Sequence, residues 1–140
     1  MEPANNTFDE IVVGQSVSFS KKISAADVAA FATLTGDHNP LHVDAAFAKA
    51  SKFNRQISHG LLVQSSLSTL AGMHLPGKHS LILEVKSQFK KPVFIDETVT
   101  IIGTVAKKQA VGKLLFIDAQ IKNADGSIAV ISQLIVGVLK

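Results

Sequence analysis

The residues of this chain best able to do chemistry lie in one short stretch, FATLTGDHNPLHVD, residues 31–44. It holds Asp37, His38, Asn39 and His42. Asp37 and His42 are five positions apart, and Pro40 stiffens the chain between them. A carboxylate near an imidazole is a usual acid/base pair, because each can hold or release a proton near neutral pH. Asn39 can support the loop through side-chain to backbone bonds, as Asn does in turns. Spacing alone does not decide the matter, since an Asp after Gly and before Asn is more often turn chemistry than catalysis.

Other chemistries are poorly provided for. The chain has no cysteine, which excludes disulfides, thiolate nucleophiles and cysteine-bound metals. Five histidines are present, but positions 38/42, 59 and 74/79 offer no helical i, i+4 pair with carboxylates. Pro40 also interrupts helical geometry between His38 and His42, so no metal site is expected. His59, next to Gly60 at a helix start, reads as a capping or packing residue, with a second acid/base role as the alternative. His74 and His79 flank the Pro76–Gly77 turn and are expected in solvent. Ser65, Ser66 and Ser68 form no G-x-S-x-G elbow, so a serine hydrolase is not indicated. Asp96–Glu97 and Asp125–Gly126 read as turns.

Secondary structure must position these groups. Residues 1–10 read as a loose leader. Val17 and Phe19 alternate with Ser16, Ser18 and Ser20, which predicts a short strand. Ser24 is a helix N-cap signal with Asp27 three positions later, and the helix that follows should stop at Gly36. Residues 36–58 read as irregular, with short helical turns over 45–51 capped by Asp44. HGLLVQSSLSTLAGM, 59–73, is apolar nearly all round and therefore predicts a buried helix. The remainder reads as strands at 80–89, 98–108, 113–123 and 127–140. In the first of them Leu81, Leu83 and Val85 share one face and Glu84, Lys86 and Gln88 the other. Asp125–Gly126 predicts a two-residue hairpin turn. One buried helix before a run of antiparallel strands predicts an α+β layer arrangement.

The 140 residues suit one domain. Composition is that of a globular chain, 46% apolar and 18% charged, with eight Phe but no Trp or Tyr for stacking on bases. The formal charge is only +3 and the lysines are scattered, so neither a nucleic-acid arm nor a membrane-binding stripe is present. The polar, acidic start is no signal peptide, and no apolar run reaches the ~18 residues that span a bilayer. A soluble cytoplasmic protein without nucleic-acid or membrane partners is expected.

GDHNPLH, 36–42, closely resembles the G-D-x-N-P-x-H motif of the MaoC-like, (R)-specific enoyl-CoA hydratases. ISHGLLVQSSLSTLAG, 57–72, resembles that family's central helix, which opens with His-Gly. LPGKHSLILEVKSQFKKPVFIDETVT, 75–100, resembles the strand, turn and strand that follow. The similarity covers most of residues 10–140. It implies a single hot-dog domain over 11–140, a long buried central helix wrapped by a curved antiparallel sheet. It implies that Asp37 and His42 together activate a water that adds to C3 of a trans-2-enoyl thioester while a proton reaches C2, with either side chain open to either transfer. Asn39 matches the motif residue that supports the loop. Gly60 matches the glycine whose backbone N–H binds the thioester carbonyl, where negative charge builds in the transition state. Ser68 matches a serine near the active site, placed to contact Asp37 or line the acyl tunnel. His38 fills the motif's variable position and is assigned no role. The resemblance further implies a homodimer, an acyl-CoA substrate and no metal or redox cofactor, coenzyme A entering only as part of the substrate. Members of the family can feed polyhydroxyalkanoate synthesis.

Three rivals frame this expectation. A hot-dog acyl-CoA thioesterase would place a carboxylate on the central helix, and 59–73 has none. An acyl-binding module would not need both Asp37 and His42. A dehydratase of acyl-carrier-protein or branched acyl thioesters would share every motif.

Overall fold

The computed structural model describes residues 1–140. Strand β1 (Ser16–Lys22) leads into helix α1 (Ala25–Thr35) and two short helices, α2 (Pro40–Val43) and α3 (Ala45–Ala50). A central helix follows, built from α4 (Gly60–Gln64), α5 (Ser66–Thr69) and a π-helical turn, Leu70–His74. Four strands complete the chain: β2 (Ser80–Phe89), β3 (Thr98–Gln109), β4 (Leu114–Lys122) and β5 (Ile128–Val138). All strands pair antiparallel in one sheet of order β1-β3-β4-β5-β2. This is the expected α+β hot-dog arrangement.

Period-two alternation builds the inner face. Ile101 and Val105 of β3, Ile117, Ala119 and Ile121 of β4, and Val130, Leu134 and Val136 of β5 are buried. The central helix lays Val63, Leu67, Leu70 and Ala71 against them. The helix approaches β3 closely at Gly103, where a Cβ would lie 2.6 Å from Leu70 Cδ2. Helix α1 begins as its sequence predicts: Ser24 Oγ accepts from the Asp27 N–H, and the Asp27 carboxylate accepts from the Ser24 N–H. It ends at Gly36, whose φ of +79° is left-handed.

Five expectations need correction. The alternation of β2 is broken by a bulge between Ile82 and Glu84. Leu81 pairs with Gly137 on the outer face, whereas Val85 pairs with buried Leu134 on the inner face, because an extra residue reverses the side-chain parity. The central helix is not buried all round, since Leu61, Ser65 and Ser68 are exposed on its outer side. The leader is not loose: the Ala4 N–H donates to Met73 O, the Phe8 N–H to Lys140 O, and Phe8 joins the core. The β4–β5 connection is longer than a two-residue turn. Asn123 and Ser127 close it by a backbone bond, and Gly126 takes a left-handed φ of +84° after Ala124 and Asp125. Finally, the segment 36–58 contains α2, because Pro40 occupies the first helical position, where its missing N–H costs nothing.

Candidate active site

The loop after α1 is organised by side chains that bind backbone. Thr35 Oγ1 accepts from the Asp37 N–H at 3.2 Å, Asp37 Oδ1 accepts from the Asn39 N–H at 3.1 Å, and Asn39 Oδ1 accepts from the Leu41 N–H at 3.0 Å. Asn39 is thereby the N-cap of α2, and His42 falls in that helix's last turn. Two consecutive turns held by Asp and Asn thus set the separation of Asp37 and His42.

The chain returns to the same place from the other side. The Ser58 N–H donates to Val93 O at 2.7 Å, and Ile57 forms a bridge with Phe94. The Ile57 carbonyl then meets His42 Nδ1 at 2.8 Å. A carbonyl oxygen only accepts, so the bond assigns the hydrogen to His42 Nδ1 and leaves Nε2 as a bare acceptor. His59 is buried beside it, with ring centroids 4.0 Å apart, and its Nε2 lies 3.0 Å from the Asp37 carbonyl oxygen. Gly60 opens the central helix, so its N–H has no acceptor within that helix. His42 and Gly60 both line a cavity of about 270 Å³, with Phe53, Phe89, Val93 and Val130. A larger hollow of about 760 Å³ lies between α1, β1 and the central helix and is lined by neither Asp37 nor His42.

One ligand atom from each of Asp37, His42 and His59 lies within 4.8 Å of the others. The histidine spacings gave no hint of this grouping, because His59 is brought in by the fold from 17 positions beyond His42. Zinc bonds of ~2.0–2.1 Å would place three such donors roughly 3.4 Å apart in a tetrahedron. Hydrogen bonds of ~2.8 Å to a central oxygen place them about 4.6 Å apart. Both separations fall inside the 4.8 Å bound, so the trio has room for a central water.

These residues lie within the span of the chain that matches a known family. The family model for the MaoC like domain matches residues 9–124. The chain belongs to the MaoC-like family. It is 41% identical over 124 residues to an (R)-specific enoyl-CoA hydratase of Aeromonas caviae, covering 89% of this chain and 92% of that one. Among solved structures, the (R)-hydratase from A. caviae involved in PHA biosynthesis superposes with a TM-score of 0.89 at 40% identity, over 91% of this chain and 97% of that one. An R-hydratase from Pseudomonas aeruginosa superposes with a TM-score of 0.91 at 27% identity, over 96% and 86%.

The remaining MaoC-motif and histidine candidates separate. His38 is exposed in the loop. Ser68, expected on a buried face, is exposed, and it lies roughly 12 Å along the helix axis from Gly60 at 1.5 Å per residue. No side-chain hydrogen bond joins it to Asp37. His74 and His79 are not free in solvent: His74 stacks on Phe19 with centroids 4.6 Å apart, and His79 Nε2 meets Asn5 Oδ1 at 2.8 Å. The residue that sequence reasoning set aside is His59. The signal that could have found it is its place directly before Gly60 in the His-Gly pair.

Proposed function

We propose that this chain catalyses the reversible hydration of trans-2-enoyl-CoA to (R)-3-hydroxyacyl-CoA. The observation that carries the reading is the His42 imidazole, bonded at Nδ1 to the Ile57 carbonyl, grouped with the Asp37 carboxylate beside a cavity that His42 shares with Gly60. A water held between the two side chains loses one proton to the pair as its oxygen bonds to C3. The pair returns one proton to C2, so that H and OH are added in sum. Negative charge passes to the thioester oxygen during the step, and the Gly60 N–H at the start of the central helix is placed to receive it. The relatives named as (R)-specific hydratases support the configuration at C3.

In this reading coenzyme A enters as part of the substrate, the chemistry needs neither metal nor redox cofactor, and the enzyme works in the cytoplasm. No helix is long and apolar enough to cross a membrane. The protein is a homodimer. Strand β2 is a ten-residue sheet edge with Leu81, Leu83 and Phe89 half-exposed, and Leu61 stands out on the central helix. A long apolar edge of this kind calls for a partner strand, and a second copy supplies one with the same surface.

The test is the loss of enoyl absorbance when the protein is mixed with crotonyl-CoA, followed by assignment of product chirality. Asp37→Asn and His42→Gln should each lower kcat at least ~100-fold with an unchanged circular dichroism spectrum, as removal of a general acid or base does. Near wild-type turnover in either variant would refute the mechanism. Release of free CoA thiol in place of hydration would make the protein a thioesterase.

A further inference from the structure

His59 has no part in the reaction as written above, yet its surroundings are unlike those of a packing residue. It is 2% exposed. Its ring lies against His42 on one side, at 4.0 Å between centroids, and against Phe31 at 4.8 Å. Its Nε2 is 3.0 Å from the carbonyl oxygen of Asp37. That oxygen can only accept, so Nε2 carries the hydrogen and Nδ1 is the bare nitrogen. Nδ1 is buried and has no hydrogen-bond partner. A buried acceptor without a donor is destabilising, and an apolar ring of similar size would avoid the loss. The imidazole is therefore poorly explained by packing.

His59 touches both members of the pair. Asp37 is exposed on a loop and is held from its own segment only by short-range turn bonds. His42 is anchored at Nδ1 by the Ile57 carbonyl, a contact on one ring edge only. Hydrogen-bonding the Asp37 peptide while covering a face of the His42 ring sets the distance and angle between carboxylate and Nε2. We propose that His59 is a positioning residue for the hydration, acting through the Asp37 carbonyl and the His42 ring. This rests on the function proposed above.

Two substitutions separate the contacts. His59→Phe keeps a ring against His42 and removes the donor to Asp37. His59→Gln loses the ring, but its amide nitrogen reaches the place of Nε2 and keeps the donor. With crotonyl-CoA, His59→Phe should lower kcat about 10- to 100-fold with little change in KM, as misplacing a reacting group does, and His59→Gln should restore kcat to within about fivefold of wild type. Wild-type kcat in His59→Phe would overturn the proposal. So would a loss in KM alone, or His59→Gln being no better than His59→Phe. Imidazole ¹⁵N spectra test the same contacts without turnover, so a wild-type protein inactive on crotonyl-CoA would count against the proposed function alone. The expected spectrum has His59 as the Nε2–H tautomer and His42 as the Nδ1–H tautomer, with the His42 signal broadened in His59→Phe and sharp in His59→Gln. His59 found as the Nδ1–H tautomer would overturn the positioning role.

Discussion

Replacing Gly103 by alanine tests the packing that fixes the central helix, and with it the place of Gly60. A Cβ at Gly103 would lie 2.6, 2.7 and 3.1 Å from Cδ2, Cδ1 and Cγ of Leu70. Carbon atoms in good contact are ~3.5–4.0 Å apart, so both methyl groups must retreat by roughly 1 Å. Leu70 is fully buried and cannot swing into solvent. The displacement passes to its rotamer or to the helix, at a cost of about 1–3 kcal/mol for overpacking. Alanine in a strand recovers ~0.5–1 kcal/mol of backbone entropy relative to glycine, which leaves a net loss of about 0.5–2 kcal/mol. At ~2.1 cal/mol/K of unfolding entropy per residue, that is a fall in Tm of roughly 2–7 °C for this chain. Circular dichroism is the suitable probe, because the chain has no Trp or Tyr, and protein concentration must be held fixed for an oligomer. Leu70→Ala removes the clashing methyls, so Gly103→Ala should cost nothing in that background, a coupling of about 0.5–2 kcal/mol. Equal costs in both backgrounds, or a Tm that rises in the single variant, would refute the steric account.

Two further outcomes follow from other parts of the chain. Asp27 has its carboxyl held below the ordinary value of 3.8 by the Ser24 backbone N–H, with the Ser24 hydroxyl and Lys21 acting in the same direction and burial opposing. The folded state therefore binds the proton more weakly than the unfolded chain. The stabilisation is complete above the ordinary value and is lost as pH falls through the lower folded one. The Tm difference between wild type and Asp27→Asn should be steady near neutrality and shrink below about pH 4; a difference that persists at pH 2 contradicts the capping account. Leu83→Lys on the β2 edge should convert the proposed dimer to a monomer in analytical ultracentrifugation without loss of secondary structure, since a charged edge resists strand pairing. A wild-type monomer would reject that interface.

Much of this architecture could be read before any coordinate. Ser24 and Asp27 announce the start of α1, Gly36 its end, and the motif GDHNPLH puts Asp37 and His42 in the segment directly after it. Such signals are local: caps, turns and alternation depend on residues within a few positions of one another, where backbone sterics and near-neighbour hydrogen bonds decide the outcome. The errors occur where one residue changes parity or where distant segments meet. The bulge after Ile82 reverses the faces of β2, and nothing in the alternation marks it. The leader looks free by composition, yet backbone bonds tie it to Met73 and to the C-terminus.

By itself, then, the amino-acid sequence determined helix α1, the five strands, the α+β class and the candidate pair Asp37 and His42 with Asn39 between them. Tertiary structure alone decided that β2 pairs with β5 at the sheet edge, that Gly103 lies beneath Leu70, and that Ser68 is exposed on the helix. It also decided the protonated nitrogen of His42, through the Ile57 carbonyl fifteen residues away, and it brought His59 against both Asp37 and His42. The physical reason is one of range. Capping and periodicity are written in the nearest neighbours, whereas a tautomer or a ring contact is set by whichever remote backbone the packed core delivers to that point.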